Sequence, residues 1–146
     1  MPRLAFGHYS IVYSDGQYRT IRISDWNGKA VVGISTPKRD RQNNFRFQGV
    51  GFLTDDNQIR FWHKFEQANE PKRLTRIRYA LDVVAREPEQ AQMAFAMKES
   101  KCARCGRTLT VPASLHRGLG PECAKKGHWT KHDNQLAFEH QRENAA

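Results

Sequence analysis

All three cysteines of the chain lie between Cys102 and Cys123, and two of them form Cys102-Ala-Arg-Cys105 with Gly106 directly behind. That spacing puts two thiolates on one tight turn, where backbone N–H groups point at sulfur. A zinc ion held there needs two more ligands to complete a tetrahedron. Cys123 supplies a third. His116 and His128 are the candidates for the fourth. His116 lies inside the intervening loop, where Gly118 and Gly120 let the chain fold back, and His128 follows Cys123 with four residues between them. Large apolar residues between the ligands are few: Leu109, Val111, Leu115 and Leu119. A loop this poor in core residues needs a staple, so one structural Zn2+ is expected. Pro121 is placed to open a short helix whose dipole favours a thiolate at Cys123.

The rest of the composition agrees with a small intracellular domain. The 146 residues are 38% hydrophobic, enough for a modest core. No apolar run approaches the ~20 residues that span a bilayer. The start, Met-Pro-Arg-Leu-Ala-Phe-Gly-His, lacks the apolar stretch of a signal peptide, so a cytoplasmic location and no membrane partner are expected. Three cysteines cannot all pair, and cytoplasmic thiols stay reduced, which favours metal over disulfides.

Alternation predicts an antiparallel sheet before the cysteines. Tyr9, Ile11 and Tyr13 alternate up to a turn at Ser14-Asp15-Gly16, and Arg19–Ile23 alternates again. Asn27-Gly28 is a second turn, and Lys29–Ser35 carries Val31, Val32 and Ile34. Thr36–Asn44 is polar and reads as an exposed loop. Phe45–Leu53 reads as a strand in which Gly49 and Gly51 mark a bulge or a close backbone approach. Thr54–Asn57 turns the chain into a last strand, Ile59–Phe65.

Two helices are predicted to follow. Glu70–Ala85 has Pro71 near its first position and Leu74, Ile77, Leu81 and Val84 on one face. A second helix begins at Pro88 and runs to about Lys98, with Met93, Ala94 and Met97 on its apolar side. The expected fold is thus α+β: a small antiparallel β-sheet with two helices and a C-terminal zinc-ribbon-like or treble-clef-like module. The expected division is 1–99 for sheet and helices, 100–132 for the zinc-binding module and 133–146 for a polar tail.

The cysteine segment also resembles a known motif. Cys102, Cys105, Gly106, Arg107, Leu109, Thr110, Pro112, Ser114, Gly118, Gly120, Pro121 and Cys123 match a zinc-binding pattern of uncharacterised proteins from bacteriophages, actinobacteria and other bacteria. The segment from Asp15-Gly16 to Ile23 and the run Ile59–Phe65 are similar to the region preceding such motifs in some phage proteins. The resemblance implies metal binding and a phage or mobile-element origin, and with it a bacterial host cell as the setting. It implies no reaction. Its pattern contains neither His116 nor His128, so both remain candidates.

Charge points to the partner. Lys and Arg number 24 against 15 Asp and Glu, a net charge of +9. Arg104, Arg107, Arg117, Lys125 and Lys126 crowd the cysteine module, where Glu122 stands against them. A zinc with three thiolates carries about −1, so most of that excess is left for a phosphate backbone. Arg73 and Arg76 share a side of the first helix. Arg60, Trp62 and Lys64 would share one face of the last strand, an aromatic between two cations, as single-stranded nucleic acid is often held.

The favoured function is therefore non-catalytic binding of DNA or RNA by a small basic zinc protein. The alternative is a phage-type protein–protein effector that inhibits a host nucleoprotein or defence complex, in the manner of an anti-CRISPR protein. A metal-dependent nuclease is a minor alternative, on the likeness of His128, His132, Asp133 and Asn134 beside a cysteine cluster to His-Asn-His enzymes. No phosphate loop, nucleophile elbow or paired-carboxylate pattern occurs.

Overall fold

A computed structural model describes residues 2–13 and 18–106. It shows an α+β chain built on a five-stranded antiparallel meander in the order β1-β2-β3-β4-β5. The strands are β1 (Gly7–Val12), β2 (Tyr18–Trp26), β3 (Lys29–Arg39), β4 (Phe45–Leu53) and β5 (Ile59–Phe61). Three helices follow: α1 (His63–Ala68), α2 (Pro71–Arg86) and α3 (Pro88–Glu99).

Local chemistry sets most of the boundaries. Trp26 pairs with Lys29, so β2 and β3 are joined by the two residues Asn27 and Gly28, at φ 52 and 82. A tight hairpin loop of this twist requires positive φ at both positions, which Asn-Gly adopts readily. Asp25 fixes the turn by accepting the Gly28 N–H at 3.0 Å. Pro71 and Pro88 open α2 and α3, where the missing N–H costs nothing.

Tyr9, Ile11, Ile21, Ile23, Val32 and Val50 bury one side of the sheet against Leu74, Ile77, Leu81 and Val84 of α2, the face predicted from periodicity. The helix α3 packs along β1, at the edge of the sheet. Its buried face is Ala91, Gln92, Phe95 and Ala96, not the expected Met93, Ala94 and Met97; Met97 is 72% exposed.

Two element assignments need correction. The expected loop Thr36–Asn44 is partly strand, because β3 runs on to Arg39 and pairs it with Phe45. The register slips between Ser35 and Arg39, and Pro37, which has no ladder donor, sits in that slip. Asp40 then closes the connection, its carboxylate accepting the N–H groups of Gln42 and Asn44, each at 2.9 Å. The expected strand Ile59–Phe65 ends at Phe61, and α1 is a third helix. Phe61 and Phe65 stand four apart and stack at 5.8 Å, a helical spacing that also satisfies alternation as far as Phe61. Asn69 caps the end by donating to the Phe65 carbonyl at 2.8 Å.

Gly49 and Gly51 behave as expected. The pairing moves from Val32–Gly51 to Gly33–Gly49, which leaves Val50 as the extra residue of a bulge. A methyl group on Gly51 would come within 2.3 Å of the Arg60 carbonyl oxygen, and one on Gly49 within 2.9 Å of the Trp62 ring. Both glycines are required by close approach.

The start of the cysteine segment belongs to this packing. The His8 N–H donates to the Ala103 carbonyl on the outer side of β1, and Cys102, Ala103 and Arg104 are buried there. Lys101 reaches across to the Asn43 carbonyl at 3.2 Å. Among the described residues no helix is long and apolar enough to cross a membrane.

Candidate nucleic-acid interface

A groove of about 660 Å³ lies between α2 and the end of the sheet formed by β2 and β3. Its cations are Arg19, Arg39, Lys72, Arg73 and Arg76. Tyr13, Tyr18 and Phe45 supply flat apolar surface, and Glu70 is the lining carboxylate. The helix contributes because its buried stripe leaves the turn from Lys72 to Arg76 facing outward, and all three cations there are exposed.

Each cation is placed differently. Arg39 lies 3.9 Å above the Phe45 ring, paired with Glu99 at 2.8 Å and donating to the Asn43 carbonyl at 2.9 Å. It is therefore largely committed to holding Phe45 in place. Arg73 donates to the Asn69 side chain and lies 5.4 Å over Phe65. Lys72 and Arg76 have no acceptor among the described residues. Tyr18 is anchored at one end: its hydroxyl donates to Ser10 at 2.7 Å, and Ser10 shares a 2.8 Å hydrogen bond with Thr20. Burial pushes its phenol above the ordinary value, so it stays neutral. The ring stacks at 6.3 Å on Phe45. Cations with unused donors beside fixed aromatic rings are the elements that hold phosphates and bases together.

The residues expected from sequence are only partly brought together. Arg73 and Arg76 line the groove. Arg60, Trp62 and Lys64 do not share a strand face, because the chain becomes helical after Trp62. Arg60 is on β5 and Lys64 on α1. Trp62 packs edge-on to Phe52 at 5.5 Å and over Gly49, which makes it chiefly a seat for the β4–α1 junction. Arg104, expected among the exposed cations, is 1% exposed. Docking of the cysteine turn on β1 draws it inside, near the Tyr9 hydroxyl. Arg107, Arg117, Lys125 and Lys126 lie outside the described residues.

Of the residues expected from sequence to hold a metal, two lie among the described residues. Cys102 is buried and Cys105 exposed, on a turn closed by the Gly106 N–H donating to the Cys102 carbonyl at 2.8 Å. Gly106 has φ +79, so glycine is favoured directly after the second cysteine. This tight turn suits the first two ligands of a zinc site. Among the described residues no three His, Cys, Asp or Glu side chains gather into a metal-holding group. Cys123, His116 and His128 lie outside them.

Sequence reading missed Arg19, Tyr13, Tyr18, Arg39 and Phe45 as groove residues. Alternation puts Arg19 and Phe45 on strands, but nothing local says that both approach the Lys72–Arg76 turn.

A family model described as a family of unknown function (DUF6011) matches residues 92–128. The matched stretch begins in α3 and contains all three cysteines. No curated protein matches the chain, and neither does any solved structure.

Proposed function

We propose that this is a small basic nucleic-acid-binding protein, non-catalytic, with a single strand lying in the groove between α2 and the β2–β3 end of the sheet. The observation that carries the reading is the lining itself: Arg19, Lys72, Arg73 and Arg76 set beside Tyr13, Tyr18 and Phe45, with Glu70 as the opposing charge. Phosphates take the cations and bases stack on the rings. The net charge of +9 adds long-range attraction for the same polyanion. A structural Zn2+ on Cys102, Cys105 and Cys123, with His116 or His128 as fourth ligand, would hold the C-terminal module.

Titration of a labelled single strand and a labelled duplex between 50 and 200 mM salt tests this. The single strand is expected to bind more tightly. Replacing Lys72, Arg73 and Arg76 together with Ala is expected to weaken it about fiftyfold near 150 mM salt and to flatten the log–log salt slope by about two. Failure of the native chain to bind naked DNA or RNA, with one stoichiometric protein recovered from nuclease-treated bacterial lysate, would move the assignment to the host-complex effector.

The metal is tested separately. Elemental analysis of the full chain is expected to return about one zinc per molecule, and Cys105→Ser to lose it. A native chain that is metal-free and melts identically with and without chelator would remove zinc from the account.

A further inference from the structure

A second cavity, of about 430 Å³, opens on the other side of Phe45 and is lined by His8, Arg22, Phe45, Phe47, Lys101 and Cys105, among others. We propose that it binds one nucleotide unit, with the base against the aromatic wall and the phosphate between Arg22 and Lys101. This deepens the nucleic-acid reading and rests on it.

The wall is aromatic. The His8 ring stacks on Phe95 at 4.7 Å and 15°, and Phe47 meets His8 edge-on at 5.6 Å. Arg22 lies 4.6 Å above the Phe47 ring. Its Nε is buried and has no hydrogen-bond partner among the described residues. Lys101 is 8% exposed and donates to the Asn43 carbonyl. No carboxylate is among the described residues lining the cavity. A buried ammonium and a half-buried guanidinium whose Nε is buried without a partner, with no carboxylate in the lining, are a setting that an anion would complete. The volume lies within the ~300–1,000 Å³ of small-molecule sites.

Two further features select a nucleotide over a bare anion. Phe45 lines both this cavity and the α2 groove, so a strand in the groove can place a neighbouring or terminal unit here. His8 faces the Ala103 carbonyl through Nδ1 at 3.1 Å, so Nδ1 carries the proton and Nε2 is an acceptor. Nε2 lies on the side of Gly106, which also lines the cavity. An acceptor there favours a base with an exocyclic amine (adenine, cytosine or guanine) over uracil, which has none.

Calorimetric titration of the full chain with 5′-AMP, 5′-UMP and inorganic phosphate separates the possibilities. AMP is expected to bind at least tenfold more tightly than UMP or phosphate. Arg22→Gln and, as a second route if that variant misfolds, Lys101→Gln are each expected to weaken AMP at least tenfold with an unchanged melting curve. Phosphate binding as tightly as AMP, or AMP binding untouched by both variants, overturns the nucleotide site. An oligonucleotide that still binds while AMP does not overturns this site alone and leaves the groove reading standing. Loss of both would remove the parent reading as well.

Discussion

A chain ended at Ser100 is expected to melt roughly 15 °C below one ended at Gly106, a difference of about 3 kcal/mol. The six residues between those ends include Cys102, Ala103 and Arg104, all buried. They supply the carbonyl that receives both the His8 N–H and the His8 ring. They also cover Phe95 and Ala96, with which Cys102 and Ala103 form a separate apolar cluster. Removing them opens two hydrogen bonds, worth about 1 kcal/mol each, and wets an aromatic ring. Differential scanning calorimetry of the two chains decides the matter. Equal melting temperatures would mean that the turn merely rests on β1.

Acid is expected to destabilise the fold through the same histidine. Burial pushes the His8 imidazole down from 6.5 to about 4, and the nearby charges of Arg22 and Lys101 push in the same direction. Its hydrogen bonds to the backbone of Ala103 and Arg104 oppose the shift without reversing it. Between those two values the unfolded chain takes up a proton that the folded chain refuses. The stabilisation is therefore complete above about pH 6.5 and drains away as pH falls towards 4, by about 3 kcal/mol in all. Denaturant titrations at pH 7, 5.5 and 4.5 would show the slope. His8→Gln, which keeps a donor for Ala103, should flatten it even if it lowers stability at pH 7. An unchanged slope in that variant would assign the acid sensitivity to other groups.

Much of the scaffold was legible because its rules are local. Asn27-Gly28 demanded a hairpin, Pro71 and Pro88 marked helix starts, and the recurrence of Leu74, Ile77, Leu81 and Val84 gave the buried stripe of α2. Errors came where two periodicities agreed over a short stretch. Phe61 and Phe65 satisfy both a strand ending and a helix beginning, and only the turn of the backbone at Trp62 distinguishes them. The burial of Arg104 was invisible for a different reason. A cation is drawn inside only because its turn docks on a strand that is 95 positions away from Ala103 at His8. The groove and the second cavity are equally non-local. Arg22 and Lys101 become neighbours through the same docking, and no window along the chain contains both.

The arrangement of the strand edges has a consequence for how this protein behaves in a crowd. At one end of the sheet β5 is three residues long, too short to template much. At the other end β1 would offer a longer rim, but the His8 amide is already engaged by Ala103. The cysteine turn therefore acts as a bumper against other copies of the same molecule. Were it lifted, as by cleavage near Ser100, a bare rim would face solvent at the concentrations of a cell, and clumping through added strands would become the competing fate.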